Sequence, residues 1–303
     1  MTGTVIKSTG SWYAVRNKSG KDINCRLRGK FRLAGSNATN PIVVGDKVEF
    51  ELDQSDGTGI INELHKRKNY IIREAASHSK QVQVIAANVD QAYLVVTLTE
   101  PFTPVGFIDR FLLTAEAYNV KVNIIFNKSD IYKKKHLEKL DEWALIYRDI
   151  GYDCFVISAK TGENIDKVKT SLIGKVSLFA GNSGVGKSTI LNWIAPDLEL
   201  QTNPISSATG KGVHTTTFVE MHEISDNSFL IDTPGIKELG IVEIEPYEIS
   251  HFFVEMRELI GNCKFNDCLH TNEPNCAILE ALENGSIHES RYKSYVNILE
   301  SLQ

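Results

Sequence analysis

The stretch that decides the fold reads Gly181-Asn182-Ser183-Gly184-Val185-Gly186-Lys187-Ser188. It has the spacing Gly-x4-Gly-Lys-Ser/Thr of a loop whose backbone N–H groups cradle phosphates. An apolar run at 176–180 predicts a strand entering the loop, and Ser188-Thr189 opens a predicted helix whose N-terminus favours anions. We expect residues 181–189 to bind phosphates, with Lys187 on the β- and γ-phosphates and Ser188 on Mg²⁺. The alternative is a coincidental glycine-rich turn, and the flanking strand and helix argue against it.

The chain around this loop alternates between predicted strands and helices. The strands are expected at 92–98, 122–126, 154–158, 176–180 and 229–231. The helices are expected at 105–118, 136–148, 165–172 and 188–194. This alternation indicates right-handed crossovers and a mainly parallel α/β sheet. Residues 201–217 are rich in Ser, Thr, Gly and Asn, and predict a long mobile loop.

Two motifs follow predicted strands and point to a purine base. The first is Asn127-Lys128-Ser129-Asp130, and the second is Ser158-Ala159-Lys160. The Asp130 carboxylate can accept from the ring N–H and the exocyclic amine of guanine, a donor pair that adenine lacks. We expect Asn127 to hold the loop and the base, the Lys128 stem to cover the ring, and a backbone N–H of 158–160 to bond guanine O6. Both motifs lie at strand carboxyl ends, where open α/β sheets bind ligands.

Two further segments are candidates to contact the γ-phosphate and Mg²⁺. Asp232-Thr233-Pro234-Gly235 follows the strand at 229–231, and Thr215-Thr216-Thr217 ends the long loop. We expect Asp232 to hold Mg²⁺ through water and the Gly235 N–H to sense the γ-phosphate. A hydroxyl of the threonine run, assigned to Thr216, would close over the metal, as switch loops do. The expected Mg²⁺ ligands are therefore Ser188, Thr216 and Asp232.

The N-terminal 68 residues predict a small β-barrel. Five short strand-like runs, at 2–8, 11–16, 22–28, 47–52 and 58–65, are separated by turn residues. A five-stranded barrel of this size is typical of an OB-fold, which often binds oligonucleotides. The basic residues Arg26, Arg28, Lys30 and Arg32 surround Phe31, and Lys66-Arg67-Lys68 follows at the exit. Charge beside aromatic rings is what single-stranded nucleic acid requires. The open alternative is that Trp12, Tyr13 and Phe31 are barrel core.

The C-terminal region contains a compact set of metal-ligating residues: Cys263, Cys268, His270 and Cys276. Three thiolates and one imidazole suit a tetrahedral, structural zinc ion, and soft sulfur ligands disfavour Mg²⁺ and Ca²⁺. Scattered free cysteines and an iron–sulfur site are the alternatives. The rest of 246–303 predicts helices, whereas Cys25 and Cys154 lie in apolar strands and are expected to be inert core residues.

These motifs are those of a Ras-like GTPase, in a circularly permuted order. The base motifs at Asn127 and Ser158 precede the phosphate loop, which in turn precedes Thr216 and Asp232. With the barrel and the cysteine cluster, the chain resembles the ribosome small subunit-dependent GTPase A (RsgA) family over nearly its whole length. The segment Gly212-Val213-His214-Thr215-Thr216 contributes to the resemblance, although Val213 stands where the family typically has Arg.

The resemblance implies a multidomain fold with an OB-fold RNA-binding domain at 1–68, a permuted GTPase domain at 69–240 and a helical zinc-binding domain at 241–303. It implies a late assembly factor that binds the 30S ribosomal subunit and its 16S rRNA, with GTP hydrolysis stimulated by the subunit. Because 229–235 leads almost directly into the zinc region, a γ-phosphate contact at Gly235 would reposition that region as one piece. An RNA-binding module with structural GTP and a signalling GTPase are the competing functions.

No glutamine follows the Asp-x-x-Gly motif at 232–235. The position after Asp-x-x-Gly, where Ras-like enzymes orient water with Gln, is Ile236 here. Intrinsic hydrolysis should therefore be slow, and we assign the water-positioning role to His214, beside Lys187 and Thr216 as the other catalytic residues. The alternative is that His214 only shapes the loop or contacts RNA.

Composition and charge agree with this organisation. With 42% hydrophobic and 23% charged residues, the 303-residue chain is neither collagen-like nor wholly disordered. Residues 1–68 carry 12 Lys and Arg against 7 Asp and Glu, whereas residues 241–303 carry 4 against 11. A basic end on an acidic protein suggests a polyanionic partner, and chance scatter of surface charge is the alternative. We expect a cytoplasmic monomer with no membrane segment.

Overall fold

The computed structural model describes residues 1–28, 41–54, 56–74, 82–198, 219–225, 227–232 and 244–302. It contains a barrel, a mostly parallel sheet between helices, and a helical C-terminal region. Among these residues no helix is long and apolar enough to cross a membrane.

The N-terminal strands close into a five-stranded barrel, which confirms the predicted OB-fold. They are β1 (Thr2–Ser8), β2 (Tyr13–Asn17), β3 (Asp22–Leu27), β4 (Lys47–Leu52) and β5 (Gly59–Leu64). Their order is β1-β2-β3-β5-β4, and β1 pairs back with β4 to close the barrel. Alternate side chains such as Val5, Val15 and Phe50 point inward and are fully buried, as the period-two geometry of a strand requires.

A hairpin that the sequence patterns did not predict follows the barrel. Its strands are β6 (Tyr70–Glu74) and β7 (Val82–Ala87), which pair antiparallel. The intervening residues 75–81 contain no Gly, Pro or Asn, so the usual turn signal is missing.

The central sheet carries the nucleotide motifs. It contains β8 (Gln91–Val96), β9 (Lys121–Phe126), β10 (Asp153–Val156), β11 (Val176–Ala180), β12 (Glu220–Ser225) and β13 (Ser228–Asp232). The order is β10-β9-β8-β11-β13-β12, and all pairings are parallel except that of β12 with β13. The mainly parallel sheet confirms the prediction, whereas the edge strand β12 was not predicted.

Helices cover both faces of this sheet. They are α1 (Val105–Ala117), α2 (Lys134–Asp149), α3 (Ile165–Leu172) and α4 (Lys187–Ile194). Side chains of β8 alternate between the two layers: Leu94 and Val96 pack in the cluster with α1 and α2, and Tyr93 and Val95 pack in the cluster with α3 and α4. Every residue of β8 is buried, which is typical of a central parallel strand.

The barrel and the central sheet form one continuous sheet. Lys7 of β1 is paired with Glu220 of β12, and their side chains form a 2.8 Å ion pair. Arg16 of β2 adds a 2.7 Å ion pair to Glu223. The two regions therefore meet where β1 pairs with β12, a contact that the sequence did not predict.

The C-terminal region consists of helices around the cysteine cluster, as predicted. Its helices are α5 (Val254–Arg257), α6 (Ala277–Glu283) and α7 (Glu289–Leu302), with short 3-10 turns at Pro246–Phe252 and Ile260–Asn262. Leu113 of α1 is part of its apolar core. This region therefore packs directly on the helical layer of the central sheet.

Candidate functional site

The nucleotide motifs meet at the carboxyl edge of the central sheet. The phosphate loop follows β11, Asn127–Asp130 follows β9, Ser158–Lys160 follows β10, and Asp232 ends β13. Because these strands are parallel, their carboxyl ends share one edge, where open α/β sheets bind ligands. The permuted chain order thus yields a single cluster in space.

The phosphate loop requires glycine at two positions for steric reasons. A Cβ on Gly181 would lie 2.3 Å from the Val95 carbonyl oxygen, and one on Gly186 would lie 2.3 Å from Asn127 Nδ2. Gly186 also has φ 101°, in the left-handed region that favours glycine. These residues let the loop pack against β8 and the β9 motif before it turns into α4.

Lys187 lies at the start of α4 and folds back onto the loop. Its Nζ donates to the Gly181 carbonyl at 2.6 Å and to the Asn182 carbonyl at 2.8 Å. Ser188 and Thr189 follow it in the first turn of the helix and are partly exposed. The ammonium group is thus held beside the loop.

Asn127 joins three of the motifs. Its side chain is 1% exposed, donates from Nδ2 to the Val185 carbonyl at 2.8 Å, and accepts at Oδ1 from the Ala159 N–H at 2.9 Å. Because a buried amide needs such partners, Asn127 fixes the phosphate loop and the two base motifs relative to each other.

Asp130, the predicted base-selecting carboxylate, has a fixed hydrogen-bond partner. Asp130 is exposed, and its Oδ1 accepts from the buried Ser158 Oγ at 2.7 Å. Lys128 adopts a left-handed φ of 68°, and its Nζ donates to the Glu100 carbonyl. Burial lowers the pKa of Lys128, while Glu100 and Asp130 oppose that shift. Lys160 is exposed at the rim.

Two aromatic residues that the sequence analysis missed support these motifs. The Tyr132 hydroxyl donates to the Asn127 carbonyl at 2.5 Å and accepts from the Leu98 N–H at 3.0 Å. Trp193 of α4 donates from Nε1 to the Ala159 carbonyl at 2.8 Å. The signal for Tyr132 was its place two residues after Asp130; no sequence signal indicated Trp193.

Several predicted site residues lie outside the described part of the chain. These are His214, Thr216 and Gly235, and for Asp232 only the backbone is described. The assigned catalytic water-positioning role and two of the three Mg²⁺ ligands therefore stay predictions.

The four predicted zinc ligands converge. Their donor atoms lie within 4.8 Å of one another, with His270 Nδ1 at 3.3 Å from Cys276 Sγ and 3.6 Å from Cys263 Sγ. A tetrahedral zinc ion at normal bond lengths requires donor separations of about 3.6–3.8 Å. The donor chemistry fits and the observed separations lie on either side of these values, so the cluster can hold one zinc ion.

Side chains around the four donors fix the backbone of residues 269–272 by hydrogen bonds. The Tyr292 hydroxyl donates to the His270 carbonyl at 2.8 Å, and the Tyr295 hydroxyl donates to the Leu269 carbonyl at 2.7 Å. Glu273 accepts from backbone N–H groups of the loop, and these bonds lower its pKa to about 2. Outside the cluster, burial raises the pKa of Cys25 to about 11 and that of Cys154 to about 12, as inert thiols require.

The barrel offers only part of the predicted RNA surface in the described residues. Arg28 is exposed, whereas Arg26 forms a 2.8 Å ion pair with Asp53. Trp12 is 45% exposed, and Tyr13 is a buried core residue. Of the other basic candidates, Lys30 and Arg32 lie outside the described residues.

Comparison with known proteins agrees with this geometry. A family model described as RsgA GTPase matches residues 64–242, and one described as RsgA N-terminal domain matches residues 2–61. A protein of Flavobacterium johnsoniae named small ribosomal subunit biogenesis GTPase RsgA is 51% identical over 302 residues, covering 99% of this chain and 93% of the relative. A Bacteroides thetaiotaomicron protein of the same name, numbered 2, is 50% identical, covering 99% of this chain and 96% of its own length.

Two solved structures share the fold. YjeQ from Thermotoga maritima is 38% identical with a TM-score of 0.81, over 99% of this chain and 98% of its own. YloQ, described as a circularly permuted GTPase, is 32% identical with a TM-score of 0.78, over 99% of this chain and 94% of its own. With family models and relatives matched along the chain, this protein belongs to the RsgA GTPase family, whose members are GTP hydrolases.

Proposed function

We propose that this protein hydrolyses GTP to GDP and phosphate while bound to the small ribosomal subunit, as a late assembly factor. The observation that carries the proposal is the Asn127 network, which links a phosphate loop to two guanine motifs. The relatives' names supply the cellular process, since those proteins are named small ribosomal subunit biogenesis GTPases.

The residue roles follow from the chemistry of the site. Asp130, oriented by Ser158, selects guanine through its two donors. Lys187 leaves its two carbonyl partners and binds the β- and γ-phosphates. Ser188, Thr216 and Asp232 hold Mg²⁺, which neutralises developing phosphate charge. His214 orients the attacking water.

The remaining regions serve the ribosomal partner. The barrel binds 16S rRNA through a surface on which Arg28 and Trp12 are exposed. One zinc ion at the cysteine cluster stabilises the C-terminal region. We place the domain boundaries at 1–68, 69–240 and 241–303, and the working form is a cytoplasmic monomer.

Cosedimentation with purified small subunits tests this function. The protein should pellet with subunits in the presence of a non-hydrolysable GTP analogue and stay in the supernatant with GDP. Lys187→Ala is the control, because it removes the phosphate contact and should abolish the nucleotide effect. Equal pelleting with the GTP analogue, GDP and an ATP analogue would contradict the proposal.

A further inference from the structure

An open cavity lies where the barrel meets the central sheet. Its volume is about 550 Å³, and its walls are residues 64–70, which leave the barrel, and 117–119, which leave α1. We call it the junction cleft. Asn119 lies two residues before β9, and Asn69 is hydrogen-bonded to Val89, which lies two residues before β8. The cleft therefore lies at the amino edge of the parallel strands. The nucleotide motifs lie at the opposite edge, so the cleft is separate from the GTP site.

The cleft walls are held in place by buried hydrogen bonds. Asn69 is 5% exposed, donates to the Val89 and Asn119 carbonyls at 2.7 and 3.1 Å, and accepts from the Val89 N–H at 2.8 Å. Arg67 makes two 2.8 Å bonds to the fully buried Asp46. The barrel, the linker and the central sheet are therefore fixed around the cavity. A preformed site loses little entropy on binding.

The cleft lining includes aromatic and cationic side chains. The Tyr70 and Tyr118 rings lie 5.3 Å apart, and Tyr70 is 37% exposed. Lys66 is exposed and, among the described side chains, has no carboxylate at ion-pair distance. Lys68 is 60% exposed and forms a 3.1 Å pair with Asp90. A ring beside ammonium groups suits a base and its phosphates.

The cleft also adjoins β4 of the barrel. The His65 N–H donates to the Lys47 carbonyl at 2.9 Å, so the exposed Lys47 of β4 lies next to the strand that leads into the cleft. A volume of this size falls in the range of small-ligand sites, about 300–1,000 Å³.

We propose that the junction cleft binds one nucleotide of a single-stranded RNA segment, with its base stacked on Tyr70 and its phosphates beside Lys66 and Lys68. The proposal rests on the proposed function only for the RNA being ribosomal. A free mononucleotide shares the same chemistry and is separated from RNA by the test below.

The test measures binding of a fluorescein-labelled ten-nucleotide oligouridylate to the full-length protein without ribosomes. Stacking of one base is worth about 1–3 kcal/mol, so Tyr70→Ala should weaken binding roughly 5- to 150-fold. Tyr70→Phe should retain most of the affinity, since stacking does not need the hydroxyl. Lys66→Glu should weaken binding and flatten its salt dependence. Lys167→Glu, an exposed change on α3, is the matched charge control and should have little effect.

Two further arms make the outcome decisive. Cross-linking of a 5-bromouridine oligonucleotide should label Tyr70, and uridine monophosphate should compete only weakly. Unchanged affinity in either Tyr70→Ala or Lys66→Glu, or competition by the mononucleotide as strong as by RNA, would overturn the proposal. Fluorescent GDP binding by each variant confirms its fold. Failure of the wild-type protein to pellet with small subunits would instead contradict the proposed function.

Discussion

A buried arginine links α1 to the C-terminal region. Arg291 of α7 is 2% exposed and donates to Asp109 of α1 at 2.6 Å and to Glu255 of α5 at 2.7 and 3.1 Å. Its guanidinium also lies 4.5 Å from the centre of the Phe253 ring. Replacing it with methionine keeps much of the apolar volume and leaves two buried carboxylates without their cation.

The expected loss of unfolding free energy is large because these two carboxylates stay buried without a cation. Removing one partner of a buried ion pair typically costs about 3–5 kcal/mol, because the remaining charge is uncompensated. The chain supplies a matched control whose acidic partner lies on the same helix, α1: Arg257 of α5 pairs with Glu116 at 3.1 Å, but the Arg257 side chain is 49% exposed. Arg257→Met should cost only about 0.2–1 kcal/mol.

The pH dependence of the Arg291→Met effect has a definite sign. Burial raises the pKa of Asp109, and Arg291 opposes that rise. A carboxyl whose folded pKa lies above its unfolded value adds stability at low pH that is lost as the pH rises through the folded pKa. Without Arg291 this effect grows, so the variant should be more destabilised relative to wild type at pH 8 than at pH 5.

Urea unfolding measures the free energy of unfolding of both arginine variants. Hydrogen exchange of the α1 and α7 amides reports the local effect. Adding Asp109→Asn to Arg291→Met should restore part of the loss, since it removes the stranded charge. Equal costs for Arg291→Met and Arg257→Met, or no dependence on pH, would refute this reasoning. The result also bears on the expectation that γ-phosphate contacts reposition the zinc region, since that region must then carry α1 with it or break these pairs.

Three further outcomes are expected. Asp130→Asn should weaken GTP binding by roughly 100-fold, since an unpaired donor in a polar site costs a few kcal/mol; equal affinity of the native protein for ATP and GTP in calorimetry would exclude the assigned role. One zinc ion per chain should copurify, and its chelation should speed proteolysis within 244–302 while GDP binding persists; metal analysis finding no zinc argues against the site. Arg28→Glu should reduce subunit affinity and its salt dependence, and intact binding would leave Arg28 a solvated residue.

The motifs were predictable because their chemistry fixes their spacing. The phosphate loop needs Gly181 and Gly186 where a Cβ would collide, and metal ligation needs four donors close along the chain. The apolar run at 176–180 and the similar runs between the predicted helices likewise located the parallel strands. Each of these signals is local, so a single sequence contains it.

Long-range pairing left no such signal. The edge strand β12 joins β1 through Lys7 and Glu220, which are more than 200 residues apart. Arg67 belongs to a basic run that indicated RNA, yet it is bonded to the buried Asp46. Arg291 likewise looks like a surface cation in sequence, and only the fold brings it to Asp109.

The central claim is that GTP turnover depends on the small ribosomal subunit, and multiple-turnover phosphate release tests it directly. Because Ile236 cannot orient water, the protein alone should be slow. Purified small subunits should accelerate release by at least about 100-fold, the lower range for a positioned acid–base group, and His214→Ala should lose most of this gain while still binding GTP. The same rate with and without subunits would contradict the account.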